Sequence, residues 1–333
     1  MVSISDVARL AGVSPTTVSH TISGKRAVSE SVRARVLQAM AELDYVPTRA
    51  AQSLALGRTS IIALVVPDIA IEYFAELAKS VESTAVDRGY NVMLATTGFD
   101  AEREAQYLEM IASRAVDGIL FASGAVLGER TKTALERGLP LVLVDEEVRG
   151  LELRTIVSDN EAGGRLAAEH LAGLGHRSVL EISGSHAPVT SVLRSEGFAS
   201  VWHPVGGRTQ SAEGDYSAES GRRAVEERMA AFTSGEITAV FAHNDLMALG
   251  AIDGLRSNGV RTPEDVSVIG FDDVSSGRYS YPALTTVRQD PKSLGALAAG
   301  TLLDAIDEGT PLVAGRTLLP VELIVRGSTG AVR

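Results

Sequence analysis

The amino-acid sequence predicts a small all-α helix-turn-helix head, followed by an α/β body of two doubly wound parallel-sheet subdomains. Two observations lead to this fold class. The first is a helix–glycine–helix pattern within residues 3–23, followed by a third amphipathic stretch. The second is a regular alternation of short β-rich runs and amphipathic helical stretches from residue 61 onward, which is typical of parallel sheets covered by helices.

The head begins with a capping-box-like segment, Ser3–Asp6, which favours a first helix that runs to about Ala11. Gly12 breaks this helix because glycine adopts turn geometries that other residues resist. Ser14 can cap a second helix that has Pro15 at its first position, where no N–H is needed. The predicted inward face consists of Val7, Ala8, Ala11, Val13, Val18 and Ile22.

A third helix is expected to begin near Ser29 and to end at Pro47. Its apolar positions follow helical spacing, at Val32, Val36, Met40 and Leu43. The second helix leaves a polar set facing outward: Pro15, Thr16, Thr17, Ser19 and His20. Short hydroxyls and an imidazole can reach DNA base edges or phosphates, so this face is a candidate DNA reader, and a solvated helix face is the alternative.

The charge distribution agrees with a DNA-binding head on a body that does not bind DNA. Residues 1–60 hold seven basic and four acidic residues, which gives +3. The remainder holds 24 basic and 38 acidic residues, which gives −14 and accounts for the net charge of −11. A basic head can face phosphates while the acidic body is repelled from them.

Composition and length narrow the protein class further. The chain has 333 residues, enough for two or three domains, and its hydrophobic content of 45% supports a core. Cysteine is absent, which excludes disulfides and thiolate metal sites. No run approaches the roughly 18 apolar residues that span a membrane, and residues 1–12 lack a signal-peptide pattern. We therefore expect a cytoplasmic protein with no membrane association.

The body shows seven β-rich runs with helical stretches between them. The runs are Ile61–Pro67, Asn91–Thr96, Gly118–Ser123, Leu141–Asp145, Ser178–Ser183, Ala239–Asn244 and Val266–Asp272. Helical stretches include Phe74–Arg88, Ala101–Arg114, Gly163–Leu174 and Ala218–Phe232. About ten strands are too many for one open sheet, so we expect two subdomains whose strands end at a shared ligand cleft.

Polar residues cluster at the carboxyl ends of these runs. They are Asp68, Asp145, Asp159, Asn160, Asn244, Asp245, Asp272 and Asp273. Paired donors and acceptors in a cleft suit a ligand rich in hydroxyl groups. For Asp159, Asp245 and Asp273, capping of the following helix is an equally good explanation.

Motifs of catalysis are missing from the sequence. There is no G-x-S-x-G elbow, no G-x-G-x-x-G or P-loop after a strand, and no metal-type spacing among the six histidines. We expect no catalytic residues, no metal and no cofactor.

The head resembles the lactose-repressor (LacI/GalR) family of bacterial transcription regulators through DVARLAGVSPTTVSHTISG, VSESVRARVLQAMAELDYVP and RAAQSL. Its TTVSH segment is most similar to the purine-repressor branch. The resemblance implies that Pro15, Thr16 and His20 read operator bases. The DNA-binding candidates are Ser5, Pro15, Thr16, Thr17, Ser19, His20 and Leu54.

The segment 48–58 resembles the hinge helix of this family, which enters the minor groove. Leu54 matches the leucine that wedges between base steps, where unstacking bends the duplex in exchange for more contact. Alone, the segment is too short for a stable helix, because helix nucleation is costly. The alternative is that Leu54 and Leu56 are linker residues that pack on the body.

The body resembles the periplasmic-binding-protein-like sensor of the same family, for example in SDNEAGGRLAAEHL and PEDVSVIGFDDV. The resemblance implies a head at 1–47, a hinge at 48–58 and a sensor at 59–333. Its N-subdomain would hold about 60–160 plus 289–321, and its C-subdomain about 161–288 plus 322–333. The implied ligand-binding residues are Tyr73, Phe74, Asp145, Thr190, Arg194, Tyr216, Asn244 and Asp272.

Two features depart from the family pattern. Pro188 stands where the purine branch has an arginine, and Glu146 and Glu147 stand where it has a tryptophan. The segment between Phe198 and Gly214 is short and reads as irregular, and its Trp202 is expected to pack rather than to stack on a ligand.

The sequence therefore predicts a homodimeric repressor that leaves a pseudo-palindromic double-stranded operator when a small carbohydrate binds. The alternative effector is a purine or nucleoside. Two further alternatives are a sugar-active enzyme with a fused DNA-binding domain and a transport-type binding protein, although the latter would have a secretion signal and no head.

Overall fold

The computed structural model describes residues 2–23, 26–46, 58–111, 116–122, 139–148, 150–184 and 188–332, together with residue 133. Most of the predicted hinge, including Leu54, lies outside the described residues. No helix in the described ranges is long and apolar enough to cross a membrane.

The head contains three helices: α1 (Ile4–Ala11), α2 (Pro15–Ser23) and α3 (Glu30–Glu42). The predicted capping box is present, since Ser3 accepts from the Asp6 N–H and Asp6 accepts from the Ser3 N–H. Gly12 ends α1 at φ +64°, in the left-handed region that favours glycine. All six predicted inward residues belong to the head's apolar core, so its packing was correctly predicted.

The third helix is shorter than predicted. It ends at Glu42 with Leu43 as its C-cap, four positions before the expected stop at Pro47. Asp44 follows at φ +47°, and the Tyr45 N–H donates to the Met40 carbonyl. Such a left-handed turn ends a helix by itself, without a proline.

The body holds two six-stranded sheets. The first has the order β2-β1-β3-β4-β5-β11 and is parallel throughout. Its strands are β1 (Ile61–Val66), β2 (Asn91–Thr96), β3 (Gly118–Phe121), β4 (Leu141–Val144), β5 (Arg154–Ser158) and β11 (Gly315–Leu319).

The second sheet has the order β7-β6-β8-β9-β10-β12, and only β12 runs antiparallel to its neighbour. Its strands are β6 (Ser178–Ser183), β7 (Arg208–Glu213), β8 (Ala239–Ala242), β9 (Ser267–Asp272), β10 (Thr285–Arg288) and β12 (Glu322–Ile324).

Helices cover both faces of each sheet. They are α4 (Glu72–Asp87), α5 (Ala101–Ile111), α6 (Asn160–Gly173), α7 (Val189–Trp202), α8 (Ala218–Glu226), α9 (Met229–Thr233), α10 (Asp245–Ser257), α11 (Ser275–Tyr279) and α12 (Pro291–Glu308). In β1, Ile62 and Leu64 join the core beneath α4 and α12, while Ala63 and Val65 join the core beneath α5. This alternation is the two-residue period of a strand that is buried on both faces.

The chain passes between the sheets three times, after β5, after β10 and after β11. Residues at these crossings therefore lie between the two α/β units. The arrangement brings the carboxyl ends of both sets of parallel strands toward one cleft.

The predicted strands agree with the observed ones to within two residues at either end, but five strands were not predicted. They are Arg154–Ser158, Arg208–Glu213, Thr285–Arg288, Gly315–Leu319 and Glu322–Ile324. Three of them are edge strands, whose residues are mostly exposed or half-buried. The predicted helix over 218–232 is two helices, because the chain turns at Glu227 and Arg228.

The segment after Phe198, which reads as irregular in the sequence, is regular in the structure. α7 continues to Trp202, and β7 forms the edge of the second sheet. Trp202 is fully buried, packs at 5.2 Å from the Phe198 ring and donates from Nε1 to the Arg208 carbonyl at 3.1 Å. Its role is packing, and it does not line the ligand cleft.

Candidate ligand cleft and DNA-reading head

A cavity lies in the cleft between the two sheets. All eight residues predicted for ligand binding line it, namely Tyr73, Phe74, Asp145, Thr190, Arg194, Tyr216, Asn244 and Asp272. The structure therefore brings together residues that are up to 199 positions apart in the sequence, from Tyr73 to Asp272.

The first α/β unit contributes an aromatic wall and a carboxyl group. The Tyr73 hydroxyl donates to Asp145 Oδ1 at 2.5 Å, and the Tyr73 and Phe74 rings meet edge to face at 5.3 Å. Asp145 directly follows β4 and adopts φ +68°, a left-handed conformation that ends the strand. Burial raises the pKa of Asp145, while the Tyr73 hydrogen bond opposes that rise.

The second α/β unit contributes Arg194, whose guanidinium is held in place by buried partners. Nε donates to Asn160 Oδ1 at 2.7 Å, Nη1 donates to the His243 carbonyl, and the group lies 3.8 Å from the centre of the Phe271 ring. This fixed orientation suits it to clamp paired oxygen atoms of a ligand.

Close packing of α6 on α7 positions Arg194. At Gly164 an added Cβ would lie 2.1 Å from the Arg194 carbonyl oxygen, and at Gly197 it would lie 2.0 Å from the Glu161 carbonyl oxygen. The two helices can approach to this distance only because both positions are glycine. The two glycines therefore allow the close contact between α6 and α7, which places Arg194 at the cavity.

Asp272 and Asn244 lie at strand ends of the second sheet. Asp272 adopts φ +118°, accepts from Gln289 Nε2 at 2.7 Å, and has its pKa raised to about 7 by burial. Asn244 caps α10 through the Met247 N–H and also donates from Nδ2 to the Tyr216 carbonyl at 2.9 Å. Part of the hydrogen-bonding capacity of Asn244 is thus used within the protein.

Six further residues line the cavity: Pro67, Ile71, Phe99, Glu146, Pro188 and Gln289. Sequence reasoning noted Glu146 and Pro188 only as departures from a family, and it missed the other four. Phe99 stacks on Tyr216 at 5.4 Å with an interplanar angle of 12°, which joins the two α/β units. Phe99 follows β2 and Gln289 follows β10, so extending the search at strand ends to apolar and amide residues would have found both.

Glu146 makes a polar contact across the cleft. Its Oε2 accepts from the Thr190 hydroxyl at 2.7 Å, and its Oε1 accepts from the Thr190 N–H at 3.2 Å and the Glu147 N–H at 2.9 Å. Burial raises the pKa of Glu146 to about 8. A second contact across the cleft joins Glu72 to the N–H and hydroxyl of Ser275 at 2.9 and 2.8 Å.

Three acids at strand ends have structural roles, but only Asp159 caps the following helix, as the capping alternative predicts. Asp159 caps α6 through the Ala162 N–H at 2.9 Å. Asp245 is buried and accepts from the Val274 N–H and the Thr286 hydroxyl. Asp273 pairs with three arginines, Arg278, Arg288 and Arg326. None of the three lines the cavity described above.

The head presents the predicted DNA-binding residues on two helices. Ser5 on α1 and Pro15 and Thr16 on α2 are exposed, whereas Ser19 and His20 are half-buried. The Thr17 hydroxyl lies 2.9 Å from the Ser14 hydroxyl, so it shares in the N-cap of α2. Leu54 lies outside the described residues.

Comparison with known proteins gives two family matches. Residues 3–48 match bacterial regulatory proteins of the lacI family, and residues 168–329 match a periplasmic binding protein-like domain. The HTH-type transcriptional repressor PurR of Aliivibrio fischeri is 37% identical over 92% of this chain and 93% of its own length. The chain belongs to the lacI family of bacterial regulatory proteins.

Solved structures of LacI-family proteins show the same architecture. The Lac repressor dimer bound to operator and the anti-inducer ONPF is 30% identical, with a TM-score of 0.84, and the match covers 99% of each chain. A LacI family transcriptional regulator from Enterococcus faecalis V583 with bound ribose is 33% identical, with a TM-score of 0.74, over 82% of this chain and 100% of that one. The predicted fold class is therefore confirmed, and this LacI-family protein is a transcriptional repressor.

Proposed function

We propose that this LacI-family repressor binds a two-fold symmetric operator as a homodimer and that a small effector in the cleft changes its affinity for that operator. The observation that carries this proposal is a cavity lined by residues of both α/β units. A ligand that contacts both units favours one relative arrangement of them, and coupling of about 1–3 kcal/mol changes operator occupancy 5- to 150-fold. Acting on DNA, the protein would work in the cytoplasm.

The junction between hinge and sensor supports mechanical coupling. Asp117 accepts from the Thr59 and Ser60 N–H groups at 2.7 Å each, so the chain enters β1 in a fixed direction. Arg58 also contacts Asp307, which binds Arg88 as well. A change in the arrangement of the two α/β units would therefore be transmitted to the segment that contains Leu54. We propose Leu54 as the residue that wedges into the minor groove.

The DNA-binding proposal predicts which head residues read sequence. Thr16→Ala and His20→Ala should each weaken binding to the specific operator about 5- to 150-fold, since one good base contact contributes roughly 1–3 kcal/mol. Binding to unrelated DNA should be unchanged. Arg9→Ala, whose side chain pairs with Asp6, is the control on α1. Fluorescence anisotropy measures the affinity for the operator and for unrelated DNA, and the ratio of the two affinities should fall. An equal loss of affinity for both DNAs would contradict base readout.

The dimer proposal points to an exposed aromatic surface. Tyr279 and Tyr281 are 86% and 95% exposed, next to Pro282 at the end of α11. Large exposed apolar side chains in one place mark interaction surfaces. We expect Tyr281→Asp to produce monomers in analytical ultracentrifugation and to weaken operator binding at least about tenfold, with ligand binding retained. An unchanged dimer would exclude this surface.

Two observations bear on the effector and favour different classes. The relatives named PurR favour the purine or nucleoside alternative over the carbohydrate reading. The cavity has Pro188 where a base-holding arginine stands in the purine branch, and the Thr190 hydroxyl is already bonded to Glu146. The carboxyl groups, Arg194 and the ribose bound by the Enterococcus relative favour ligand hydroxyls.

A purine nucleoside satisfies both observations, so we propose it as the first candidate effector, with a free carbohydrate as the second. The aromatic rings of Tyr73, Phe74, Phe99 and Tyr216 can pack on a base, and the polar groups can hold ribose hydroxyls. A thermal-shift screen of purines, nucleosides and mono- and disaccharides, followed by operator retention with each hit, tests this. A screen without any hit would count against a small-molecule effector of either class.

A further inference from the structure

We propose that Glu146 selects the effector, and that it selects a ring that carries an amino group beside its hydroxyls. This inference rests on the proposed function and specifies the chemistry of its ligand. Neither relatives nor sequence motifs assign Glu146 such a role. The residue is instead singled out by its contacts and by the balance of donors and acceptors around it.

Glu146 is fixed at the boundary between the two α/β units. It follows β4 in the first unit, and its side chain reaches Thr190 in the first turn of α7 in the second. Two bonds to Thr190 and one to the Glu147 N–H orient both carboxyl oxygens. A side chain held by three bonds can discriminate between ligands, because it cannot rotate away from a poor partner.

The carboxyl group retains capacity for a ligand. In its charged form the carboxyl group offers about four acceptor positions, and the three donors above use three of them. With its pKa raised to about 8, Glu146 is mostly protonated at neutral pH in the empty cleft, and a ligand amino group would favour the charged form. Glu146 is buried yet lines the cavity. One further donor, supplied by the ligand, would complete its hydrogen bonding.

The cavity as a whole has more acidic groups than basic groups. Three carboxyl groups line it, from Asp145, Glu146 and Asp272, against the single guanidinium of Arg194. Arg194 is already bonded to Asn160 and the His243 carbonyl. Among the residues described at the cavity, the main unmet requirement is for donors, which a ligand amino group supplies.

Electrostatics favours the same ligand chemistry. Burial raises the pKa values of Glu146 and Asp272 to about 8 and about 7, because the charged carboxylates lack compensation in the empty cleft. A ligand carboxylate or phosphate would add like charge beside them. An amino group, neutral or protonated, would stabilise the carboxylates.

Amino sugars and aminopurine nucleosides share this chemistry, and two matched pairs distinguish them. Isothermal titration of the full-length protein would compare D-glucosamine with D-glucose, and adenosine with purine riboside, which lacks the amino group. We expect the amino member of one pair to bind about tenfold more tightly or better, as one charge-assisted hydrogen bond implies. The pair that shows the preference identifies the ligand source.

Two variants test whether Glu146 causes the preference for the amino compound. Glu146→Gln should reduce the ratio within the responding pair by about tenfold. Glu147→Gln is the matched control, because Glu147 pairs with Arg316 outside the cavity and should keep the wild-type ratio. Thermal unfolding of each variant confirms that it folds.

Three results would overturn the inference: no amino compound binds, the plain partners bind as tightly, or Glu146→Gln keeps the wild-type ratio. The proposed function fails separately. If glucose or purine riboside binds and changes operator affinity without any amine preference, ligand control stands and the role of Glu146 does not.

Discussion

Replacement of Arg194 by alanine is expected to lower effector affinity at least about 100-fold, the cost of losing a charged, paired clamp. The guanidinium is the only cationic group among the described residues that line the cavity. Its contacts with Asn160, His243 and the Phe271 ring hold it in one orientation, so no reorganisation is needed when a ligand binds. No other described side chain at the cavity could replace it.

The same variant should still recognise the operator, with affinity within about threefold of wild type when no effector is present. Loss of Arg194 leaves the Asn160 and His243 oxygens without that partner, and we expect a cost of about 1–3 kcal/mol in the stability of the sensor. Arg165→Ala, which removes an exposed arginine paired with Glu161 on α6, is the control. Anisotropy of labelled operator, measured at increasing effector concentrations, separates the loss of effector affinity from any loss of operator affinity. If effector changes operator binding by Arg194→Ala as it does in wild type, the ligand binds elsewhere.

The sequence was sufficient to predict the head and the position of the cleft, because both depend on local patterns. Ser3, Gly12 and Ser14 mark helix ends by their own chemistry. Buried parallel strands such as β1 are apolar runs that are recognisable without knowledge of their neighbours. The eight ligand-lining residues follow from strand ends and from resemblance to a family.

What the sequence could not predict depends on contacts between distant segments. The edge strand β7 carries polar residues because only part of it is covered, so its pairing with β6 is visible only in the folded sheet. The opposite roles of adjacent acids are another case. Asp272 faces the cavity whereas Asp273 binds three arginines, and one residue of register decides between ligand contact and structural ion pairs.

The sequence also gave no indication that Glu146 spans the cleft. Its partner Thr190 lies 44 positions away, and the bond exists because α7 begins opposite the end of β4. From the sequence alone, a glutamate at the position where the purine branch has a tryptophan indicates only that an aromatic contact with the ligand is lost. In the structure it is an added acceptor that joins two α/β units, with consequences for stability as well as for ligand choice.

The contribution of Glu146 to the stability of the ligand-free repressor should fall as pH rises from about 5 to 8, and Glu146→Gln should remove that contribution. Burial raises the folded-state pKa of Glu146 from 4.5 to about 8. Between these values the folded state binds the proton and the unfolded state does not, so the free energy of unfolding decreases with increasing pH. From this group the decrease between pH 5 and 8 is on the order of 3 kcal/mol.

Other acidic residues also contribute to the pH dependence of stability. Asp272, with its pKa raised to about 7, contributes in the same direction and remains in the variant. Asp273 and Asp307 have lowered pKa values because arginines bind them, and their stabilising contribution is lost only at acidic pH as they become protonated. Burial lowers the pKa values of His170, His176 and His243, so these histidines contribute in the opposite direction to Glu146, and the difference between variant and wild type isolates the Glu146 contribution.

Thermal unfolding midpoints of wild type, Glu146→Gln and the control Glu147→Gln, measured from pH 5 to 8, test this expectation. The Glu146→Gln midpoint should rise relative to wild type as pH increases, while the control should follow the wild-type profile. Glutamine keeps an acceptor for the Thr190 N–H and adds a donor for its hydroxyl, so the contact across the cleft survives without the ionisable proton. Parallel profiles for all three proteins would show that Glu146 does not titrate between these pH values.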